Sequence, residues 1–183
     1  MKLLQRSDID GLIVFQGKIH NDHRGNFEEL GHKEALRKLG IPHFFPQENI
    51  STSRKGVLRG LHFQDPRPQG RLIKPIKGSI YDVCLDLRPD SFTFRGWDAV
   101  ILDAAQSHSC FIPEGCAHGY LAIEDSVILY KCSDLYDVES DRGIHYADPE
   151  LGIPWQLFLF GAEPIMSEKD LKLPTMSEYL RGK

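Results

Sequence analysis

The sequence predicts an all-β domain, a sandwich or barrel with only short peripheral helices. Short apolar runs recur along the chain and stop at turn signals. Only one segment has the composition of a helix. No repeat, low-complexity tract or linker divides the 183 residues, so residues 1–183 are expected to form a single domain with room for one sizeable core.

The helical segment is Lys33-Glu34-Ala35-Leu36-Arg37-Lys38-Leu39, closed by Gly40 as a C-terminal stop. The first clear strand runs from Ser79 to Leu87. It is apolar at alternate positions, Ile80 excepted, and ends at Arg88-Pro89-Asp90. Trp97 to Leu102 is a second strand, and Ser109 to Ile112 a third, stopped by Pro113-Glu114-Gly115. Gly119 to Ile123 and Val127 to Cys132 read as a hairpin around Glu124-Asp125-Ser126. Strands of this length and spacing suit a sandwich or barrel. The mixed tail after Pro154 is expected to pack across it.

Hydrophobic residues make up 41% and charged residues 26%, the balance of an ordinary globular protein. A net charge of −4 without runs of one sign argues against nucleic acid as a partner, while local arginines could still hold a small anion. No stretch approaches the roughly 18 apolar residues of a membrane span, and the first residues lack the apolar centre of a signal peptide. The expected location is the cytoplasm. Cys84, Cys110, Cys116 and Cys132 form no C-x-x-C pair and are expected to be buried free thiols.

Three histidines stand out: His62 in Arg59-Gly60-Leu61-His62-Phe63-Gln64, His118 in Pro113-Glu114-Gly115-Cys116-Ala117-His118, and His145 beside Tyr146. A strand histidine is commonly a hydrogen-bonded core residue. It can also ligate a metal or act as a base near neutral pH. The stretch from Pro113 to His118 matches the P-x-G-x-x-H element of cupins, whose metal-binding members supply two histidines at H-x-H spacing. Here His62 is followed by Phe63 and Gln64, so only one imidazole is offered, and neither metal nor cofactor is expected. A general base remains, in need of an orienting carboxylate and a proton donor across the substrate.

Arg59-Gly60-Leu61-His62-Phe63-Gln64 resembles the R-G-L-H-[FY]-Q signature of the dTDP-4-dehydrorhamnose 3,5-epimerases. The resemblance continues through Gln69-Gly70-Arg71, Asp82 to Arg88, Ser91 to Phe94, Ile112 to Tyr120, Leu129-Tyr130-Lys131, Asp148 to Leu151 and Ser167 to Asp170. Asp22-His23-Arg24-Gly25 and Gln47-Glu48-Asn49 resemble N-terminal ligand-binding elements of the same family. The ordered set covers most of the chain.

That resemblance implies a jelly-roll (double-stranded β-helix, cupin-like) barrel, a homodimer exchanging N-terminal strands, and a nucleotide-diphosphate 4-keto-6-deoxy sugar as substrate. It implies His62 as the base, Asp170 as its orienting carboxylate, Tyr130 as the acid and Arg71, at the family's lysine position, beside the enolate oxygen. For binding it points to Arg24, Phe27, Glu29, Gln47, Asn49, Arg59, His118 and Tyr136. Residue by residue, plainer readings stand beside these: Asp170 as a turn cap, Tyr130 as a core-edge aromatic, Arg71 as a surface cation, and Asp82 as the partner of His62 instead. At the level of function the alternatives are a single-centre epimerase on a GDP- or CDP-linked sugar, a 3,4-ketoisomerase, a non-catalytic sugar-nucleotide-binding cupin and a metal-dependent oxygenase.

Overall fold

In a computed structural model, which describes residues 1–42 and 44–182 except the side chains of Gln5 and Arg6, two antiparallel sheets enclose a common interior. The chain runs β1 (Lys2–Arg6), β2 (Ile13–Gln16), β3 (Ile19–Asp22), β4 (Gly25–Glu28) and α1 (Lys33–Leu39). It continues with β5 (Gln47–Ser53), β6 (Leu58–Gln64), β7 (Arg71–Lys77), β8 (Ser79–Asp86) and β9 (Trp97–Asp103). β10 (His108–Ile112), β11 (Cys116–Ala122), β12 (Ser126–Cys132), β13 (Asp141–Gly143), α2 (Gln156–Leu159) and α3 (Met176–Arg181) complete it. One sheet has the order β1-β2-β10-β7-β12-β5 and the other β13-β6-β11-β8-β9, while β3 and β4 form a separate two-stranded ribbon. This is the expected jelly-roll arrangement. Among the described residues, no helix is long and apolar enough to cross a membrane.

Three apolar clusters explain how the sheets are held. Between them lie Val14, Ile73, Cys110, Ile112 and Ile128 from the first sheet, against Ile80, Cys84, Leu102, Cys116 and Tyr120 from the second. On the outer face of the second sheet, Leu61, Phe63, Tyr81, Val83 and Leu85 are covered by the tail through Ile153, Trp155, Leu159 and Met176. The indole N–H of buried Trp155 donates to the Tyr146 carbonyl, and that of half-buried Trp97 on β9 donates to the Leu151 carbonyl, so both indoles are paired. On the outer face of the first sheet, α1 covers Phe15, Leu72 and Phe111 with Leu36.

This double covering explains why Ser79–Leu87 did not alternate cleanly. β8 is buried on both faces, so Ile80 and Cys84 are apolar on the face that alternation would make polar, and Asp82 and Asp86 on that face are buried and paired. The helix occupies the expected residues. His32 caps its start by accepting from the Ala35 N–H, and Gly40 ends it at φ +80°. β11 starts at Cys116 rather than Gly119, and β8 stops at Asp86. β11 and β12 do not form the expected hairpin: the turn after β11 carries the chain across to the other sheet, where β12 pairs with β5 and β7 while β11 pairs with β6 and β8. All four cysteines are buried and unpaired, as expected.

β6 departs from regular alternation. His62 pairs with His118 and Arg59 with Tyr120, so three steps along β6 oppose two along β11, the mark of a bulge. Gly60 sits in it at φ +117°, and a Cβ there would lie 2.5 Å from Gly119 Cα and 2.7 Å from the His118 carbonyl oxygen. The bulge brings Arg59 and His62, an odd number of residues apart, onto the same cavity. Gly60→Ala is expected to lower unfolding free energy by roughly 1–3 kcal/mol from backbone strain alone, measured by urea denaturation. An unchanged midpoint would mean that the backbone there is not held as described.

Candidate active site

One end of the space between the sheets is open, forming a cavity of about 500 Å³. Its walls follow from strand register. On the first sheet, Gln47, Cys132 and Arg71 form one cross-strand row, Asn49, Tyr130 and Ile73 the next, and Ser51 with Ile128 a third. On the facing sheet, His62 pairs with His118, and Arg59 with Tyr120. The segment from Ile165 to Asp170 closes one side, fixed where Ile165 bridges Val57.

His62 is partly exposed to this cavity, and its Nε2 lies 2.9 Å from Asp170 Oδ1. The second carboxylate oxygen of Asp170 accepts from the Gly60 N–H at 3.3 Å, and Ser167 Oγ accepts from the Asp170 N–H. Burial alone would raise the Asp170 carboxyl, but the His62 imidazole and these hydrogen bonds outweigh it and hold the group below its usual range. An ionised carboxylate only accepts, so Nε2 carries the proton and Nδ1 presents its lone pair. An imidazole so oriented can remove a proton from carbon.

Tyr130 enters the same cavity from the opposite sheet, within β12. Burial pushes its phenol above the usual value, against the pull of the nearby Arg71 and Arg59 guanidiniums, which keeps it a proton donor at neutral pH. Arg71 Nη1 donates to the His62 carbonyl at 3.0 Å. Burial lowers the Arg71 pKa from its ordinary value, and a guanidinium stays cationic even so. Arg71 is therefore not the surface cation considered as an alternative.

Asp82, the other candidate partner for His62, is taken by His118: His118 Nε2 lies 2.7 Å from Asp82 Oδ2, and both are buried. Gln47, Asn49, Arg59, His118 and Tyr136 all line the cavity. Gln47 Nε2 donates to Asn49 Oδ1, while Gln47 Oε1 accepts from the Tyr136 N–H at 2.7 Å. The Tyr136 hydroxyl donates to Asp141 at the mouth, and this bond raises its pKa. His145 stays outside, stacked on Tyr146 with ring centroids 5.0 Å apart.

Arg24, Phe27 and Glu29 do not line this cavity within one chain. Arg24 is ion-paired with Asp22 at the exposed ribbon turn, and Phe27 is 69% exposed on β4. The ribbon projects from the barrel, tied by Glu28 to buried Lys74 and to Ser107.

The cavity also holds residues that sequence reasoning did not single out: Ser51, Tyr120, Gln69 and Lys169. Ser51 was legible from Gln47 and Asn49, since alternate residues of a strand share a face, and Tyr120 follows His118 by the same rule. Nothing local marks Lys169, which reaches the mouth by pairing with Asp141. Among the described residues no cluster of histidine, cysteine and carboxylate side chains is arranged to hold a metal ion.

Comparison with known proteins fits this geometry. The family model described as dTDP-4-dehydrorhamnose 3,5-epimerase matches residues 6–178. The chain belongs to that family. A dTDP-4-dehydrorhamnose 3,5-epimerase from Methanothermobacter thermautotrophicus is 43% identical, over 90% of this chain and 89% of its own. The crystal structure of the Bacillus anthracis epimerase with TDP and pyrophosphate bound superposes with a TM-score of 0.89 at 38% identity, covering 96% of this chain and 99% of that one. A dTDP-6-deoxy-D-glucose-3,5-epimerase from Legionella pneumophila, in complex with dTDP-4-keto-L-rhamnose, gives 0.87 at 39% identity, covering 93% and 90%. As a member of this epimerase family the protein is an isomerase acting on carbohydrates, built on the cupin-like jelly roll.

Because folding lowers the Asp170 pKa, the pair contributes stability that is full above the unfolded value and lost as pH falls through the folded one. Asp170→Asn is expected to have a lower urea midpoint than the parent at pH 7, with the gap closing below about pH 4, near the unfolded aspartate value. A gap of constant size down to about pH 2 would contradict an ionised Asp170.

Proposed function

We propose that this epimerase inverts C3 and C5 of dTDP-4-dehydro-6-deoxyglucose, giving dTDP-4-dehydrorhamnose through an enolate. The observation that carries the reading is His62 on one sheet, paired with Asp170 of the tail, and the Tyr130 phenol on the other sheet, lining one cavity. Hydrogens on C3 and C5 are acidified by the C4 ketone. His62 Nδ1 removes one, and the electron pair of the C–H bond moves into the enolate, whose oxygen takes the negative charge.

Arg71, which lines the cavity and donates to the His62 carbonyl, would hold that oxygen. Tyr130 returns a proton to C5 from the opposite face and water returns one to C3, which inverts each centre; the proton left on His62 and the one lost by Tyr130 re-equilibrate with solvent. Asp170 keeps His62 in the required tautomer and balances the imidazolium once it forms. The 4-keto sugar would lie between the two sheets, with Arg59, Gln47, Asn49 and His118 around its polar groups and Tyr136 offering a flat surface at the mouth. The L. pneumophila relative, crystallised with a dTDP-linked 4-keto sugar, supports this substrate class.

The same reading assigns a homodimer. Arg24, Phe27 and Glu29 stand on or beside a ribbon that projects from the barrel, and β5 is an edge strand with Ile50 65% exposed. In a pair of chains exchanging these ribbons, Arg24 would reach the diphosphate and Phe27 the base or sugar of the neighbouring cavity.

Incubation with dTDP-4-dehydro-6-deoxyglucose in deuterated water, followed by NMR, tests the reaction. Deuterium is expected at C3 and C5, slowed about 10²–10⁴-fold by His62→Ala, the range for removing a general base. Tyr130→Phe is expected to spare exchange at C3 and impair inversion at C5. Incorporation at C3 alone would make this a single-centre epimerase. No incorporation by the parent protein would overturn the assignment.

A further inference from the structure

Tyr120 belongs to none of the roles above, yet its hydroxyl lies inside the cavity, 3.0 Å from Ser51 Oγ and 3.0 Å from Ser53 Oγ. Ser53 is buried, and its Oγ also accepts from Arg59 Nε at 3.1 Å. Arg59 Nη2 donates in addition to the Thr52 carbonyl at 3.2 Å. Nε and Nη2 form the lateral edge of a guanidinium. With that edge occupied, the plane of the group is fixed, and the terminal fork of Nη1 and Nη2 is left for a ligand. Among the described residues Nη1 has no partner.

The donor inventory allows one continuous direction for this chain. A guanidinium cannot accept, so Ser53 Oγ accepts from Arg59, and its own O–H can donate to Tyr120. The Tyr120 O–H then donates to Ser51. The hydrogen of Ser51 is left over, and Ser51 lines the cavity. A cation at one end polarises each hydroxyl in turn, strengthening the donor at the other end.

We infer that Tyr120 is a positioning residue for substrate binding: through Ser53 it locks the Arg59 fork, and through Ser51 it aims a second donor at the same ligand. The ligand chemistry is an oxyanion-bearing sugar nucleotide, whose diphosphate or sugar oxygens suit a fork and a hydroxyl together. The inference rests on the proposed reaction for the identity of that ligand. It adds a chain of hydroxyls, built from β5, β6 and β11, that fixes an arginine before the ligand arrives.

Tyr120→Phe removes the hydroxyl and keeps the ring. It is expected to raise KM for dTDP-4-dehydro-6-deoxyglucose, and Kd for dTDP measured by calorimetry, by about tenfold, with kcat changed less than about threefold, the pattern of lost uniform binding. Ser53→Ala cuts the same chain next to Arg59 and should give the same split. The double variant should cost less than the sum of the two single variants, since both loosen Arg59 through the same Ser53 link. Should Tyr120→Phe fail to fold in a thermal melt, Ser53→Ala and Ser51→Ala carry the test by the same KM and Kd readings.

Unchanged KM and Kd, additive effects in the double variant, or a fall in kcat at constant KM would each overturn the inference while leaving the epimerase reading intact. A parent protein that neither binds dTDP nor exchanges deuterium would overturn both.

Discussion

The close approach of β6 to β11 at Gly60 and Gly119 is the constraint from which the rest of the cavity follows. Neither strand can carry a side chain there: a Cβ on Gly119 would lie 2.9 Å from the Arg59 carbonyl oxygen, and one on Gly60 even nearer its neighbours. With both side chains absent the backbones can touch, β6 can bulge, and two residues that a regular strand would send to opposite faces reach the same interior. The same bulge turns the Gly60 N–H toward Asp170, fixing one carboxylate oxygen while the other holds His62. One backbone irregularity thereby orients a guanidinium, an imidazole and a carboxylate.

Two imidazole–carboxylate pairs stand side by side on this sheet, and their surroundings separate them. His118 and Asp82 are closed off, with side chains 9% and 1% exposed, whereas His62 is 28% exposed beside a nearly buried Asp170. A buried charge is costly unless paired, and both pairs meet that condition. Only His62 combines an Nε2 held by a carboxylate with a ring partly exposed at the cavity. The difference in role between the two histidines therefore comes from access and register rather than from residue type.

The three apolar clusters make this arrangement rigid. Each sheet is gripped on both faces, by the shared interior on one side and by α1 or the tail on the other. Interiors packed in this way transmit small displacements instead of absorbing them. The tail also brings Asp170 to His62 across 108 residues of sequence, with Asp148 holding the start of α3 through the Met176 N–H. The late aspartates are thus part of the site's architecture, one touching the histidine and one fixing the segment that follows it.

The all-β character, the helix over Lys33–Leu39 and the main strands were legible in the sequence because period-two alternation and turn residues are local signals. Family motifs in order pointed to His62, Asp170, Tyr130 and the residues of β5 and β11 that line the cavity. β1 to β5, β7 and β13 were not read as strands: β3 and β4 are short and polar-rich and pair only with each other, and β13 is three residues held by β6. Sequence left open whether Asp82 or Asp170 serves His62, since both lie far from it along the chain, and strand register decided that by giving Asp82 to His118. Sequence likewise could not say that Arg24 and Phe27 lie away from their own chain's cavity, or that Tyr120 and two serines tether Arg59. The sequence by itself determined which chemical groups are present and which strands carry them. Only the tertiary structure decided which groups meet, because hydrogen bonds between strands distant in the chain depend on a bulge and a register that no local run of residues encodes.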